Sequence, residues 1–238
     1  MTTYPLYLES DPRMKTTMVY VPALLGCIAR GTTTEEALRN TRKAITTFLT
    51  YLGSHDEDID VVSPFELTIA AHVIDGPWIG YGDPTPGFVV DFEPLTTSDH
   101  RRYISHLGFI QGDLLKIAQT LPMSELIDNP PNGQRSIFNI LAHIAESQGT
   151  YLRYLTGSVE VMTKAIKSIT PSSDLHITLS NTFGLITSRL QRLTPVEFKQ
   201  LVPHGQVTWS ARRCFRRALE YGWEHLCEIC ERLLIYNL

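Results

Sequence analysis

The sequence predicts an α+β protein in which a small N-terminal α/β unit is followed by a C-terminal up-down four-helix bundle. Two observations support this prediction. Residues 4–21 combine alternating apolar positions with β-branched and aromatic side chains, which is typical of strands. From Ser98 onward the apolar residues recur at helical spacing, which is typical of amphipathic helices. We therefore expect three parts, residues 1–62, 63–97 and 98–238.

The N-terminal part is predicted to contain two strands and a helix. The strands are expected at residues 4–9 and 16–21, on either side of a polar turn. Thr33 and Glu36 then stand at the spacing of a capping box, in which a hydroxyl and a carboxylate satisfy the first amides of a helix. We therefore expect a helix at residues 35–52.

A β-hairpin connector is expected over residues 63–97. Residues 65–74 and 87–92 are rich in strand-forming side chains, and the loop between them is rich in glycine and proline. Two interpretations are open for Trp78 and Tyr81 in that loop. They cover a cleft between domains, or they pack on the loop itself.

The C-terminal part is predicted to consist of long amphipathic helices separated by proline and glycine. The four helices are expected at residues 99–121, 136–155, 174–193 and 209–234, with a short extra helix near 159–169. Long amphipathic helices with short connections favour a four-helix bundle. The last helix carries Tyr221 and His225 one turn apart on an otherwise apolar face, so both are expected to point inward.

Composition excludes several classes of protein. Hydrophobic residues make up 43% and charged residues 19% of the chain, which indicates a globular protein rather than a disordered one. The net charge of -4 argues against nucleic acid and against an anionic membrane as partners. No apolar run reaches the length of a spanning helix, and no signal peptide is evident, so we expect a cytoplasmic protein. Cys227 and Cys230 are expected to be reduced, core-facing thiols.

The N-terminal part contains an ordered set of turn and cap residues. They form a P-x-L-x-G-C corner, a G-x-T-x-E-E-A helix start and an Ala-Ile pair, here Pro22, Leu24, Gly26, Cys27, Gly31, Thr33, Glu35, Glu36, Ala37, Ala44 and Ile45. In these motifs residues 4–62 resemble the HicB-like antitoxin domain. The resemblance implies a degenerate RNase H-like fold, which in complete antitoxins neutralises an RNase toxin. A reused unit for dimerisation or ligand binding is the alternative.

The bundle carries a second set of motif residues. His143 lies on the second helix with Ile137, Leu141 and Glu146 around it, and Tyr221 and His225 occupy the two positions of an H-x-x-x-H motif on the last helix. In these positions residues 98–236 resemble the DinB/YfiT-like family of four-helix bundles. The family's metal site has three histidines, so the resemblance implies His143, His225 and Tyr221 as ligands, with tyrosine in place of one histidine. Zinc, nickel or manganese is the divalent metal expected there.

The chemistry of these residues leaves alternatives open. His143 and His225 are either metal ligands or a hydrogen-bonded pair beside which Tyr221 fills space. A run of four arginines on the last helix either binds a phosphate or carboxylate, or forms a solvated face paired with Glu220 and Glu224; these are Arg212, Arg213, Arg216 and Arg217.

Two functions from different classes follow. The first is a DinB-like protein with a bundle-core pocket for a small molecule or a divalent metal, and, if it is an enzyme, a metal-dependent transferase or hydrolase. The second is a non-enzymatic interaction or antitoxin-like protein, in which the HicB-like domain binds a toxin-like partner and the bundle is a degenerate scaffold. A homodimer is expected in either case.

Overall fold

The structure is a computed structural model that describes residues 1–11, 13, 15–75, 86–131 and 133–234. Its N-terminal unit consists of four strands and one helix: β1 (Thr2–Asp11), β2 (Thr16–Tyr20), β3 (Ile28–Gly31), α1 (Thr34–Ser54) and β4 (Phe65–Val73). The remainder is largely helical: α2 (Thr97–Thr120), α3 (Met123–Ile127), α4 (Ile137–Thr156), α5 (Glu160–Lys167), α6 (Leu175–Gln191), β5 (Val202–His204), β6 (Val207–Trp209) and α7 (Ala211–Arg232). The predicted α+β class, with an N-terminal sheet and a C-terminal bundle, is confirmed.

The N-terminal unit is a four-stranded sheet in the order β3-β2-β1-β4. β1 pairs antiparallel with β2, β2 pairs antiparallel with β3, and β4 pairs parallel with β1. The helix α1 begins where the sequence predicts, because the Thr33 hydroxyl accepts a hydrogen bond from the Glu36 amide at 3.1 Å. The Glu36 carboxylate reaches back to the Thr32 amide at 2.7 Å. These contacts fix α1 against the adjacent end of β3.

The hairpin predicted over residues 63–97 is wrong. Its first strand exists as β4, but β4 joins the N-terminal sheet beside β1. Its second strand does not form, and Val89–Phe92 is a short 3-10 helix. Both segments are rich in strand-forming residues, but this local pattern does not indicate which other part of the chain each segment contacts. The domain boundaries at 62 and 97 stay predictions.

The buried carboxylate of Asp91 explains why residues 89–92 leave the extended conformation. It accepts a hydrogen bond from the Phe88 amide at 2.9 Å and ion-pairs with Arg216 on α7 at 2.7 Å. Both contacts require a tight turn, because one carboxylate must reach back along the chain and across to a helix. The interpretations offered for Trp78 and Tyr81 concern residues outside the described part of the chain.

The helices of the bundle are arranged in an order that the sequence did not predict. The helix α2 packs on α6 and α7, and α4 packs on the same two helices. The consecutive helices α2 and α4 therefore lie diagonally, where a simple up-down bundle places consecutive helices side by side. The amide of Gln111 on α2 reaches across this diagonal to Gln148 on α4 at 2.9 Å. In the part of the chain that the structure describes, no helix has the length and apolar character needed to cross a bilayer.

The sheet unit and the bundle share one hydrophobic core. On α1, Phe48 and Tyr51 pack their rings on Trp223 of α7, with centroid distances of 5.1 and 4.6 Å. The corner that precedes β3 also approaches α7 closely, because a Cβ added at Gly26 would lie 3.3 Å from the Leu219 Cβ. The helix α7 is thus covered by the bundle on one side and by the N-terminal unit on another. This arrangement sets the position of the functional site.

Candidate functional site

The three residues predicted as metal ligands lie together. The ring centroid of His143 on α4 is 5.7 Å from that of Tyr221 and 5.7 Å from that of His225, both on α7. The rings of Tyr221 and His225 are 5.6 Å apart. The spacing of four residues puts the latter two on one face of α7, and the packing of α4 on α7 brings His143 against that face. All three side chains are half-buried.

The three rings form part of the wall of a cleft of about 990 Å³. The opposite wall is the face of the sheet that is turned away from α1, with side chains from β2 and β3: Thr16, Met18, Tyr20, Ile28 and Arg30. The cleft therefore lies between the sheet and the bundle. The sequence predicts a pocket in the bundle core instead. The difference arises because the face of α7 that carries Tyr221 and His225 looks into the gap between α4 and the sheet.

A carboxylate fixes the orientation of His225. The Nδ1 atom of His225 lies 2.8 Å from Oε2 of Glu228, one turn further along α7. Because a carboxylate accepts hydrogen bonds, Nδ1 carries the proton and Nε2 keeps its lone pair. Arg232 holds Glu228 in turn through an ion pair, and its Nη1 atom donates to the carbonyl oxygen of Arg135 at 2.6 Å. This carboxylate–histidine arrangement is common behind metal-binding imidazoles.

The guanidinium of Arg217 packs against the ring of Tyr221. It lies over the Tyr221 ring at 4.8 Å from the centroid and over the Tyr151 ring at 5.6 Å. Its Nη1 atom donates to Glu220 at 2.9 Å. A cation placed over an aromatic face is attracted to it, more strongly when both are desolvated, so Arg217 restricts the Tyr221 ring.

For the buried members of the arginine run the predicted pairing with Glu220 is confirmed, but the predicted solvated face is wrong. Arg213, Arg216 and Arg217 are buried, and so is Glu220. Arg216 donates to both oxygens of Asp91, at 2.7 and 2.9 Å, and to Glu220 at 3.0 Å. Burial lowers the pKa of Arg216, but the negative charges of Glu220 and Asp91 outweigh that effect and raise it overall, so the guanidinium stays charged. These arginines are neither a solvated face nor an open anion site, because the sheet covers this side of α7.

Two comparisons with families of known proteins bear on this arrangement. A model of the DinB superfamily matches residues 106–229, more than half of the chain's 238 residues. The chain belongs to the DinB superfamily. A second model, described as a HicB-like antitoxin of a bacterial toxin-antitoxin system, matches residues 4–80 of this DinB-superfamily protein. Both predicted resemblances are thus confirmed, and the match to the HicB-like model extends through β4.

Individual relatives match different parts of this DinB-superfamily protein. The UPF0150 protein Ta0767 of Thermoplasma acidophilum is 41% identical over 54 residues, which are 23% of this chain and 78% of the relative. A solved structure of YfiT from Bacillus subtilis is similar over 63% of this chain and 93% of its own, with 20% identity and a TM-score of 0.44. The latter is described as a probable metal-dependent hydrolase with an unusual four-helix bundle topology.

The donor set of the DinB-superfamily cleft defines which metals suit it. Within the described ranges, no group of three or more His, Cys, Asp or Glu side chains is placed to hold a metal ion. A metal beside His143 and His225 therefore depends on the phenol oxygen of Tyr221 as third donor. Two nitrogen donors and one oxygen donor suit zinc, nickel or manganese, and three protein ligands leave a position for water or substrate.

The cysteines of α7 do not add to this donor set. Burial raises the pKa of Cys227 to about 12 and that of Cys230 to about 11. Without a metal both thiols therefore stay protonated near neutral pH, and among the described residues neither belongs to a group of three His, Cys, Asp or Glu side chains placed to hold a metal ion. This agrees with the expectation of two packed thiols. His106 is buried, pairs with Glu57 at 2.9 Å and does not line the cleft.

Sequence reasoning missed several residues that shape the site. From the sequence, Asp91 is expected in a strand and Glu220 is expected to pair with the arginine run on the surface. The ion pair of Asp91 with Arg216 joins residues far apart in the chain, so no local spacing indicates it. The role of Glu228 could have been found, because a carboxylate three residues after a candidate ligand lies within reach of its ring on a helix.

Proposed function

We propose that this DinB-superfamily protein binds a divalent metal in the cleft through His143, His225 and Tyr221, and catalyses metal-assisted hydrolysis or group transfer on a small molecule. The observation that carries the proposal is the convergence of the three rings, with centroids 5.6–5.7 Å apart, in the wall of one cleft. A bound metal would act there as a Lewis acid on a substrate oxygen or on a water molecule.

The residues of the chain divide the remaining tasks. Glu228 holds the Nδ1 proton of His225, which leaves Nε2 of the neutral ring as the nitrogen that can bind a metal. Arg217 limits rotation of the Tyr221 ring through the cation–π contact at 4.8 Å. The sheet forms the opposite wall of the cleft and would exclude water from that side of a bound molecule. Together these contacts supply the orientation that a three-donor site needs.

The proposal is tested by metal titration of protein purified without chelator. Calorimetry with zinc, nickel and manganese should show one ion per chain, and His225→Ala should abolish binding. Glu228→Gln should weaken binding by roughly 10–100-fold, because loss of a partner behind a ligating histidine has that effect. His176→Ala changes a histidine that does not line the cleft and serves as the matched control.

Tyr221→His provides the sharpest variant, because it restores a third imidazole. It should tighten metal binding if the three rings share one ion. Wild-type protein that takes up none of the three metals, together with no gain in Tyr221→His, would refute the proposal.

A second function, recognition of a partner protein by the HicB-like unit, is favoured by the match over residues 4–80. The edge strand β4 is largely exposed, with the Ile69 side chain 53% exposed. Affinity capture from the native host, with wild-type chain and with an Ile69→Lys variant, tests this function. A partner retained by the wild-type chain and lost by the variant would support it, and capture of nothing by the wild-type chain would count against it.

A further inference from the structure

The second wall of the cleft comes from the HicB-like unit. β2 and β3 pair so that Tyr20 is opposite Ile28 and Met18 is opposite Arg30. Side chains at alternate positions of a strand share a face, so these four side chains share one face of the sheet. All four line the cleft that also contains His143, Tyr221 and His225. The unit thus contributes directly to whatever the cleft binds.

The chemistry of this wall is partly apolar. Met18 and Ile28 present aliphatic side chains to the cleft, and Met18 is buried. The hydroxyl of Tyr20 donates to the buried carboxylate of Glu9 at 2.9 Å, and burial raises the pKa of Tyr20 well above its usual value. Tyr20 therefore stays neutral, and its ring lies buried behind the wall beneath the guanidinium of Arg216. The wall suits a flat or aliphatic body of a small molecule.

Two guanidinium groups at the cleft have no acidic partner. Among the described residues, no carboxylate lies within 4.0 Å of the side chain of Arg30 or of Arg135. The other two arginines of the lining differ, because Arg217 pairs with Glu220 and Arg232 pairs with a glutamate of α7. Arg30 and Arg135 are thus the guanidinium groups of the cleft that remain available for an anionic group of a ligand.

Carboxylates at the cleft set a limit to this attraction. Glu228 is occupied by His225 and Arg232. Glu224 and Glu231 also line the cleft, and Glu231 also borders the neighbouring groove beside α1. Their charge disfavours a ligand with several negative groups, since a second anion would lie near them. A ligand with one acidic group and an apolar body matches both the guanidinium groups and the carboxylates.

We propose that the cleft binds an organic monoanion, whose acidic group contacts Arg30 and Arg135 and whose apolar body packs on Met18 and Ile28. The HicB-like sheet then determines the ligand specificity of a site whose other wall belongs to the bundle. This inference extends the proposed function by naming the ligand class and the role of the N-terminal unit. It does not require the metal.

The test uses two fluorescent probes with the same aromatic body on metal-free full-length protein. The anionic probe is 8-anilino-1-naphthalenesulfonate, and the neutral probe is N-phenyl-1-naphthylamine. Arg30→Gln and Arg135→Gln should each weaken binding of the anionic probe by roughly tenfold, the effect of losing one charge-assisted hydrogen bond. Binding of the neutral probe should change by less than about twofold, because the apolar wall is intact.

The matched control is Arg39→Gln on α1, which changes the net charge equally. Arg39 pairs with Glu35 on the surface, and it does not line the cleft. Equal weakening in Arg39→Gln and Arg30→Gln would show a general charge effect and overturn the inference, as would unchanged anionic-probe binding in both cleft variants. Zinc titration of Arg30→Gln should match that of wild-type protein. Failure of the metal proposal is therefore distinguishable from failure of this one.

Discussion

The ion pair between Asp91 and Arg216 offers a direct test of how the HicB-like unit is joined to the bundle. The Arg216 side chain is 1% exposed and so is that of Asp91, with Nε to Oδ1 at 2.7 Å. Glu220 is the second partner of Arg216 and also pairs with Arg217. This buried group therefore includes two guanidinium groups and two carboxylates that pair with one another.

Removal of one partner leaves a charge without compensation. In Asp91→Asn, Arg216 loses the carboxylate that accepts from its Nε and Nη2 atoms, while the amide keeps the shape of the side chain. We expect a loss of about 3–5 kcal/mol in the free energy of unfolding, the cost of breaking a buried pair on one side. For a chain of this size that corresponds to a decrease in Tm of roughly 6–20 °C. Arg216→Met should cost a similar amount, because the buried carboxylate of Asp91 then loses its guanidinium partner.

The double variant separates charge balance from loss of contacts. Asp91→Asn with Arg216→Met removes both partners of the ion pair together, so it should be more stable than the sum of the single losses predicts, by about 2 kcal/mol or more. Urea unfolding followed by tryptophan fluorescence measures all variants. Arg39→Met, which breaks an exposed pair with Glu35, is the control and should change stability by less than about 1 kcal/mol. Additive losses in the double variant would refute the reasoning.

Two further variants follow from close packing and from a buried imidazole. Gly222→Ala should lower the free energy of unfolding by about 1–3 kcal/mol, because the added Cβ would lie 2.9 Å from the Ile110 side chain on α2. In the control Gly184→Ala the added Cβ meets nothing within 4 Å, so this variant should be neutral or stabilising. Equal effects of the two in thermal unfolding would contradict this packing. Burial lowers the pKa of His106, against the upward effect of Glu57. Because the folded protein then disfavours the protonated ring, stability that is present above pH ~6.5 should be lost as the pH falls below that value. His106→Gln should flatten that dependence in urea unfolding between pH 7.5 and 5, and an unchanged slope would oppose it.

The helical part of the fold could be predicted because its signals are local. Cap residues and apolar periodicity lie within each helix, and the predicted bundle helices agree with α2, α4, α6 and α7 to within a few residues. The order of the helices around the bundle depends on which faces meet. Single-helix periodicity contains no information about that choice, so the diagonal placement of α2 and α4 was beyond the sequence.

That the three candidate residues lie close together was predictable, and their surroundings were not. His143, Tyr221 and His225 were found through motif positions, and the structure places their rings together. The metal they are expected to hold stays a proposal. The sheet wall could not be foreseen, because it depends on the docking of β2 and β3 onto α7. The burial of Arg216 could not be predicted either. A charged residue on a helix is expected to be exposed to solvent unless its distant partner is known.

The shared core has a consequence for the order in which the chain folds during synthesis. The Tyr20 ring on β2 lies under the guanidinium of Arg216, at 5.3 Å from the centroid. Nearly two hundred residues separate the two, and at roughly 5–20 residues per second their synthesis takes about 10–40 s. Throughout that interval this face of the sheet lacks Arg216, although the Phe88 ring, which packs on Tyr20 at 5.3 Å, precedes the last helix in the chain. The last helix therefore completes the first unit.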